Sequence, residues 1–143
     1  MAYAGGYCIE DLAVGQTESF AKTATDADNM LYAGISGDTN PVHLDDEFAA
    51  ETMFKSRIAH GMLSAAFISA VLGARMPCPG AIFLSLTLRF KAAVRPGDTV
   101  TAVAEVTDIN LERHRVTLKT TCLVKGKPVV EGEAMVVPPS RNA

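Results

Sequence analysis

The second half of this chain alternates apolar and polar residues with a period of two, and a single apolar helical segment stands in front of it. The alternation covers residues 84–91, 100–106, 116–124 and 130–136. Short alternating segments separated by turns are typical of an antiparallel meander with one solvated face. The segment from His60 to Arg75 carries few polar residues, which predicts a largely buried helix. One buried helix packed on one curled antiparallel sheet is the economical arrangement, and the fold class is α+β.

A rigid turn stands between two short predicted helices that precede the buried helix. Gly37 allows a backbone geometry that other residues resist, while Pro41 fixes its own φ and biases Asn40 toward an extended conformation. Such a turn can aim Asp38 and His43 at one point, which the addition or removal of water requires. The residues alone leave a structural interpretation open. Aspartate after glycine and Asn-Pro are common in turns, and His43 can cap or pack the next helix.

The composition fits one globular domain over residues 1–143. With 143 residues, of which 48% are apolar, the chain can bury a sizeable core but cannot hold a second full domain. A net charge of −3 argues against a nucleic-acid partner. The three cysteines lack CxxC spacing, and no His/Cys/carboxylate cluster has ligand spacing, so we expect neither a disulfide framework nor a metal. A nucleotide fingerprint is also lacking, which predicts no cofactor.

The N-terminal segment and the hydropathy of the chain predict a cytoplasmic protein. Residues 1–12 show neither the basic start nor the apolar run of a secretion signal. The apolar stretch 61–76 is interrupted by Ser64, Ser69 and Arg75, so it does not reach membrane-spanning length. We therefore expect no membrane partner.

Three motifs carry a resemblance to a known family. The string SGDTNPVHLD at 36–45, followed by Phe-Ala-Ala at 48–50, resembles the signature of the MaoC-like R-specific enoyl-CoA hydratases, also called hydratase 2. The AHGML string at 59–63 resembles their second motif, and Phe90-Lys91 with the Gly97-Asp98 turn resembles a third. The likeness covers about 14–137. It implies a single hot-dog domain, in which an antiparallel sheet wraps around a central helix and an added short-helix segment carries the catalytic turn.

The resemblance also implies an activity and a catalytic pair. It implies reversible R-specific hydration of trans-2-enoyl-CoA to (R)-3-hydroxyacyl-CoA, in fatty-acid breakdown or in the supply of polyhydroxyalkanoate precursors. Asp38 accepts a proton from water, and His43 binds the same water and passes a proton, while Asn40 and Pro41 support the turn. Coenzyme A is then part of the substrate. Hot-dog proteins generally pair, so the resemblance also implies a homodimer.

The remaining predicted contacts with substrate are on the buried helix and the strand after it. Gly61, at the apparent start of the helix, is predicted to donate its N–H to the thioester oxygen, although it can also be a plain helix-start glycine. Ala65, Ser69 and Leu72 follow on the same helix face and are predicted to line the acyl pocket. Leu72 closes its far end, which predicts chains of about four to six carbons; its alternative role is core packing.

Phosphate binding and the class of reaction remain open at this stage. Arg89, Lys91 and Arg95 are candidates for the coenzyme A phosphates, although solvated strand faces commonly carry such residues. Three alternatives to the hydratase also remain: a hot-dog thioesterase, a dehydratase acting on acyl-carrier protein, and a non-catalytic acyl-CoA-binding module. The acyl-carrier dehydratase would favour a more basic surface than the net charge suggests. A pure binder would have no need of the Asp38/His43 pair.

Overall fold

Five strands and one long helix form the body of the protein, in a computed structural model that describes residues 6–142. Residues 1–5, part of the segment from which the absence of a secretion signal was inferred, lie outside that range, as does residue 143. The elements are a 3-10 turn at Ile9–Asp11, β1 (Thr17–Thr23), α1 (Asp26–Ser36), α2 (Pro41–Leu44), α3 (Asp46–Ala50), α4 (Gly61–Ala74), β2 (Ile82–Phe90), β3 (Thr99–Asn110), β4 (Arg115–Val124) and β5 (Lys127–Val137). No helix within residues 6–142 is long and apolar enough to cross a bilayer.

The strand order corrects one prediction from the sequence. The five strands are antiparallel neighbours in the order β1-β3-β4-β5-β2, so the meander holds for β3 to β5 while β2 pairs with β5. The segment between β2 and β3 does not close a hairpin because its backbone bonds elsewhere. Val94 O accepts from Ala59 N at 2.7 Å, and Gly97 N donates to Ala24 O at 2.7 Å.

The helix α4 packs against the inner face of the sheet, as the apolar pattern predicts. Along it Leu63, Phe67, Ile68, Val71 and Leu72 are buried. The inward residues of β3 and β4 are almost fully excluded from solvent: Val100, Ala102, Ala104, Val106, Val116, Leu118, Thr120 and Cys122. The alternation therefore predicted both faces of these strands correctly. The α+β hot-dog arrangement, with the short helices α1 to α3 added beside the sheet, is confirmed.

At one side of the sheet, β5 packs tightly against the edge strand β2. Gly132 lies opposite Leu88 of β2 and Thr120 of β4, and a Cβ built on it would overlap the carbonyl oxygen of Thr87. On the far side, β2 is an edge strand whose apolar side chains stay exposed in the single chain, namely Ile82, Phe83, Leu84 and Phe90. The edge thus presents both unpaired backbone groups and apolar surface.

Candidate active site

The turn after α1 is built by glycine and by side-chain caps. Gly37 ends α1 in the left-handed conformation at φ 78°, which an L residue rarely adopts. Asn40 caps the following helical turn by accepting from Val42 N at 3.2 Å, and Pro41 occupies its first position. Asp38 Oδ1 accepts from Asn40 N at 3.2 Å. The predicted turn is therefore partly helical, and Asn40 and Pro41 hold it.

His43 is oriented by a backbone carbonyl. Its ring is 8% exposed, and its Nδ1 lies 2.9 Å from Ile58 O. A carbonyl oxygen only accepts, so Nδ1 donates, and the neutral ring keeps its lone pair on Nε2. Asp38 is exposed, and one of its carboxylate oxygens lies within 4.8 Å of ligand nitrogens of both His43 and His60. The structure thus brings together the predicted acid and imidazole.

An arginine holds the helices on either side of this turn. Arg57 Nη1 lies 2.5 Å from Asp26 Oδ1 at the start of α1, and Arg57 Nε lies 2.7 Å from Asp46 Oδ1 at the start of α3. The hydrogen bonds that Arg57 donates to Asp26 and then to Asp46 raise the pKa of its guanidinium, so it is charged at any working pH. This pair of bonds fixes α1 relative to α3 and therefore limits movement of the turn between them.

Asp38, His43 and His60 are the one trio among residues 6–142 whose spacing would suit a metal ion. Their donor atoms are mostly engaged. His60 Nδ1 lies 3.0 Å from Asn29 Oδ1, His60 Nε2 lies 2.9 Å from Asp38 O, and His43 Nδ1 faces Ile58 O. A carboxylate oxygen of Asp38 and His43 Nε2 have no partner among residues 6–142, and two such groups are suited to bind one water. The trio fits a hydrogen-bonded proton-transfer site better than a metal centre.

A cavity of about 200 Å³ lies at the start of α4, and its lining includes Ile58, whose carbonyl bonds to His43. Gly61 is the first residue of that helix, and the first N–H groups of a helix have no acceptor inside it. The Phe90 ring covers Gly61 so closely that a Cβ there would lie 2.7 Å from Phe90 Cε1. Residues of the lining include Phe54, Ile58, Gly61, Ser64, Phe90 and Val130. Gly61 thus contributes bare backbone to the lining of the cavity, and Ile58 links the cavity to His43.

The predicted acyl-pocket residues do not share one cavity in the single chain. Ser69 and Leu72 line a second cavity of about 110 Å³ together with Phe83 and Val136. Leu72 is 1% exposed, and Ala65 is buried without lining this cavity or the one at Gly61. The structure therefore places Leu72 about three turns from Gly61, as the spacing predicts, but separates the two by packed side chains.

The three predicted phosphate-binding cations are not one cluster. Arg89 lines an open depression of about 360 Å³ over β2 and β5 and lies opposite Glu131 in the strand register. Lys91 Nζ donates to the same carboxylate at 3.2 Å, while Arg95 donates to Ser56 Oγ. All three side chains are exposed. Arg95 adjoins the segment Ala92–Val94 that lines the cavity at Gly61, so its position suits the prediction best.

Two residues of the site were not predicted as functional. His60 is 1% exposed beneath the turn, and Asn29 is fully buried on α1. The sequence carried one signal for Asn29: it lies four residues before Ala33 on the buried face of α1, where an amide needs partners. His60 stands just before the buried helix, where a histidine is more often a satisfied core or capping residue.

Comparisons with known proteins agree with the fold. The profile of the family described as MaoC like domain matches residues 12–127. An (R)-specific enoyl-CoA hydratase of Rhodospirillum rubrum is 57% identical over 94% of this chain and 93% of its own length. A 3-hydroxybutyryl-CoA dehydratase of Methylorubrum extorquens is 48% identical over 94% of this chain and 85% of its own length.

Solved structures give the same result. The R-hydratase PhaJ1 from Pseudomonas aeruginosa, in the unliganded form, superposes with a TM-score of 0.89 at 43% identity, covering 95% of this chain and 88% of that one. An (R)-hydratase from Aeromonas caviae involved in PHA biosynthesis superposes with a TM-score of 0.88 at 41% identity, covering 91% and 99%. The three motifs of the sequence thus predicted the right relatives.

Proposed function

This chain belongs to the MaoC-like domain family, and on that premise we propose that it is an R-specific hydro-lyase acting on trans-2-enoyl-CoA. The reaction is the reversible addition of water that yields (R)-3-hydroxyacyl-CoA. One observation carries the assignment to this chain: Asp38 and His43 keep a carboxylate oxygen and Nε2 without a partner among residues 6–142, and Ile58, whose carbonyl orients His43, lines a cavity together with Gly61.

The geometry supports a syn addition by one water molecule. The water lies between the Asp38 carboxylate and His43 Nε2, and Asp38 accepts a proton as the oxygen attacks C3. Negative charge then develops on the thioester oxygen, which the Gly61 N–H and the partial positive end of α4 stabilise. A proton returns to C2 from the same side through the pair. Both proton transfers are thus made by groups on one face of the substrate.

A direct assay tests the activity. Loss of the enoyl-thioester absorbance of crotonyl-CoA, with R-3-hydroxybutyryl-CoA as the product in chiral analysis, is the expected result. The release of free coenzyme A thiol in place of hydration would identify a thioesterase, and binding without turnover would identify a non-catalytic module. The chain's own thiols interfere little with a thiol reagent, because Cys8, Cys78 and Cys122 are buried and burial raises the pKa of Cys122 to about 12.

The setting of the reaction follows from the same premise. We expect a cytoplasmic enzyme that works in fatty-acid metabolism, or that supplies hydroxyacyl units for polyhydroxyalkanoate synthesis. Coenzyme A enters and leaves as part of the substrate. The chemistry needs no redox or Lewis-acid group, since acid–base transfer and a backbone donor are sufficient for it. We therefore propose that activity survives prolonged treatment with a chelator.

We expect the active form to be a homodimer. The edge strand β2 exposes backbone groups together with Phe83 and Leu84, which a second copy related by a two-fold axis can cover. Such a partner would continue the sheet and close the cavities over α4. Sedimentation equilibrium at micromolar concentration should report twice the chain mass. An active monomer at that concentration would contradict the assignment.

Truncation of Leu72 tests the predicted preference for short acyl chains. Leu72 lies about 16 Å from Gly61 by helix rise, so truncation to alanine should deepen the far end of an acyl pocket. In Leu72→Ala we expect kcat/KM for octenoyl-CoA to rise relative to crotonyl-CoA, since each accommodated methylene is worth about 1–3 kcal/mol.

The matched control for this variant is Leu118→Ala, which removes the same atoms from a buried position on β4 that lines neither described cavity. It should lower stability and leave the chain-length profile as it was. If a folded Leu72→Ala protein keeps the wild-type profile, Leu72 is a core residue.

A further inference from the structure

The buried amide of Asn29 touches both the catalytic turn and the segment before α4. Asn29 Nδ2 donates to His43 O at 2.9 Å, and Asn29 Oδ1 accepts from His60 N at 3.3 Å. A carbonyl only accepts and a backbone N–H only donates, so these two partners fix which end of the amide is oxygen. Asn29 is fully buried on α1. One side chain thus sets the position of the His43 backbone relative to His60.

Both ring nitrogens of His60 face oxygen acceptors. Nδ1 lies 3.0 Å from Asn29 Oδ1, whose orientation is fixed, and Nε2 lies 2.9 Å from the backbone oxygen of Asp38. A neutral imidazole has one N–H and one lone pair, so it satisfies only one of these contacts and sets two lone pairs against each other at the second. Only the imidazolium donates from both nitrogens.

We infer that His60 is a buried imidazolium and that His60 and Asn29 are positioning residues for Asp38 and His43, an inference that rests on the proposed function. The rings of His60 and His43 are stacked with centroids 3.9 Å apart, and Tyr32 packs against His60 with ring centroids 4.7 Å apart. Two like charges at this separation repel, so a cationic His60 leaves His43 as the neutral ring with Nε2 as acceptor.

The same charge has a counter-ion. The Asp38 carboxylate is the acidic group of the trio, with an oxygen within 4.8 Å of the His60 ring. The groups that face His60 are this carboxylate, the neutral Asn29 amide, His43 and Tyr32. A buried cation is tolerated when an opposite charge is near and its donors are bonded. Both ring nitrogens of His60 have acceptors, and the Asp38 carboxylate lies within 4.8 Å. His60 thereby orients Asp38 through the backbone oxygen and attracts its side chain toward His43.

Nitrogen NMR of the wild-type protein tests the charge without any substrate. The chain has three histidines, so His114→Gln and His43→Gln assign the signals in a sample with labelled histidine. Near neutral pH we expect both ring nitrogens of His60 to carry a proton and His43 to carry one, on Nδ1. A bare nitrogen in the His60 ring would overturn the inference. This measurement uses no substrate, so it decides the charge of His60 even if the protein proves not to be a hydratase.

Kinetics tests the positioning. Asn29→Ala and His60→Gln should each lower kcat about 10- to 100-fold with little change in KM, as found when groups that orient active-site ligands are removed. Asn29→Asp separates the two contacts of this side chain. The aspartate keeps an oxygen that accepts from His60 and loses the amide N–H that donates to His43 O. It should lower kcat while preserving the His60 signals.

The control is Val116→Ala, which truncates a fully buried residue on β4 away from the site. It should lose stability comparable to the other variants and keep kcat. If Asn29→Ala and His60→Gln remain folded and also keep kcat, the two residues are packing residues and the positioning role is overturned.

Discussion

Asp38→Asn and His43→Gln each lower kcat/KM for crotonyl-CoA hydration by about 10²–10⁴-fold, the range expected for removal of a general acid–base group. Asparagine keeps the oxygen that accepts from Asn40 N, so the turn is retained while the proton acceptor is lost. Glutamine can still donate toward Ile58 O but has no nitrogen that accepts a proton. Both variants therefore separate chemistry from folding.

The pair should behave as one unit. Since both groups handle the same water, the double variant is expected to be little worse than either single one. Asp45→Asn is the matched control for the acid, because Asp45 caps α3 from an exposed position near the site, and His114→Gln serves for the imidazole. Near-wild-type turnover by either site variant, measured by absorbance with circular dichroism checking the fold, would remove the mechanism.

Gly132→Ala should cost about 3 kcal/mol or more of the free energy of unfolding, or prevent folding altogether. Its Cβ would overlap Thr87 O, lie 2.8 Å from Thr87 C and lie 3.1 Å from Leu88 Cα. All three atoms are backbone of β2, so no side chain can rotate out of the way. β2 must therefore move. This movement disrupts its pairing with β5, which is the only pairing that β2 makes within residues 6–142.

Urea denaturation measures this effect against a contrasting glycine. Gly34 lies in α1 with nothing within 4 Å of a built Cβ, so Gly34→Ala should raise stability by about 1 kcal/mol or less. Equal midpoints for Gly132→Ala and the wild type would show that β2 tolerates displacement. The proposed dimer through β2 could then not rely on a fixed position of this edge strand.

The sequence predicted what local pattern encodes. The helix expected over 60–75 is found at Gly61–Ala74, and the alternation of β3 and β4 predicted which residues face the core. The pairing of β2 was missed because it is long-range: β2 and β5 are neighbours in the sheet although β3 and β4 lie between them in the chain. Alternation says which face of a strand is buried but not which neighbour it has.

The site shows the same difference between features encoded locally and features that depend on long-range packing. The turn residues and Asp38 with His43 were predicted because glycine, proline and a capping amide act over a few positions. Asn29 and His60 lie 31 residues apart, and their role exists only once α1 packs on the segment before α4. The pocket residues remain predictions, since helix spacing places Leu72 on the face of Gly61 but does not say whether space connects them.

The segment at 57–61 has a consequence for how the enzyme keeps its alignment. The carbonyl that orients His43 belongs to Ile58, and the predicted oxyanion donor is the N–H of Gly61, three residues further along the same extended stretch. The covalent chain therefore sets the spacing between the carbonyl that orients His43 and the oxyanion donor, and the hydrogen bond to Ile58 attaches His43 to that frame. A small movement of α4 against the sheet carries the Ile58 carbonyl and the Gly61 N–H together, so the site can stay assembled without a closing lid. One residue inserted between Ile58 and Gly61 would uncouple proton transfer from charge stabilisation.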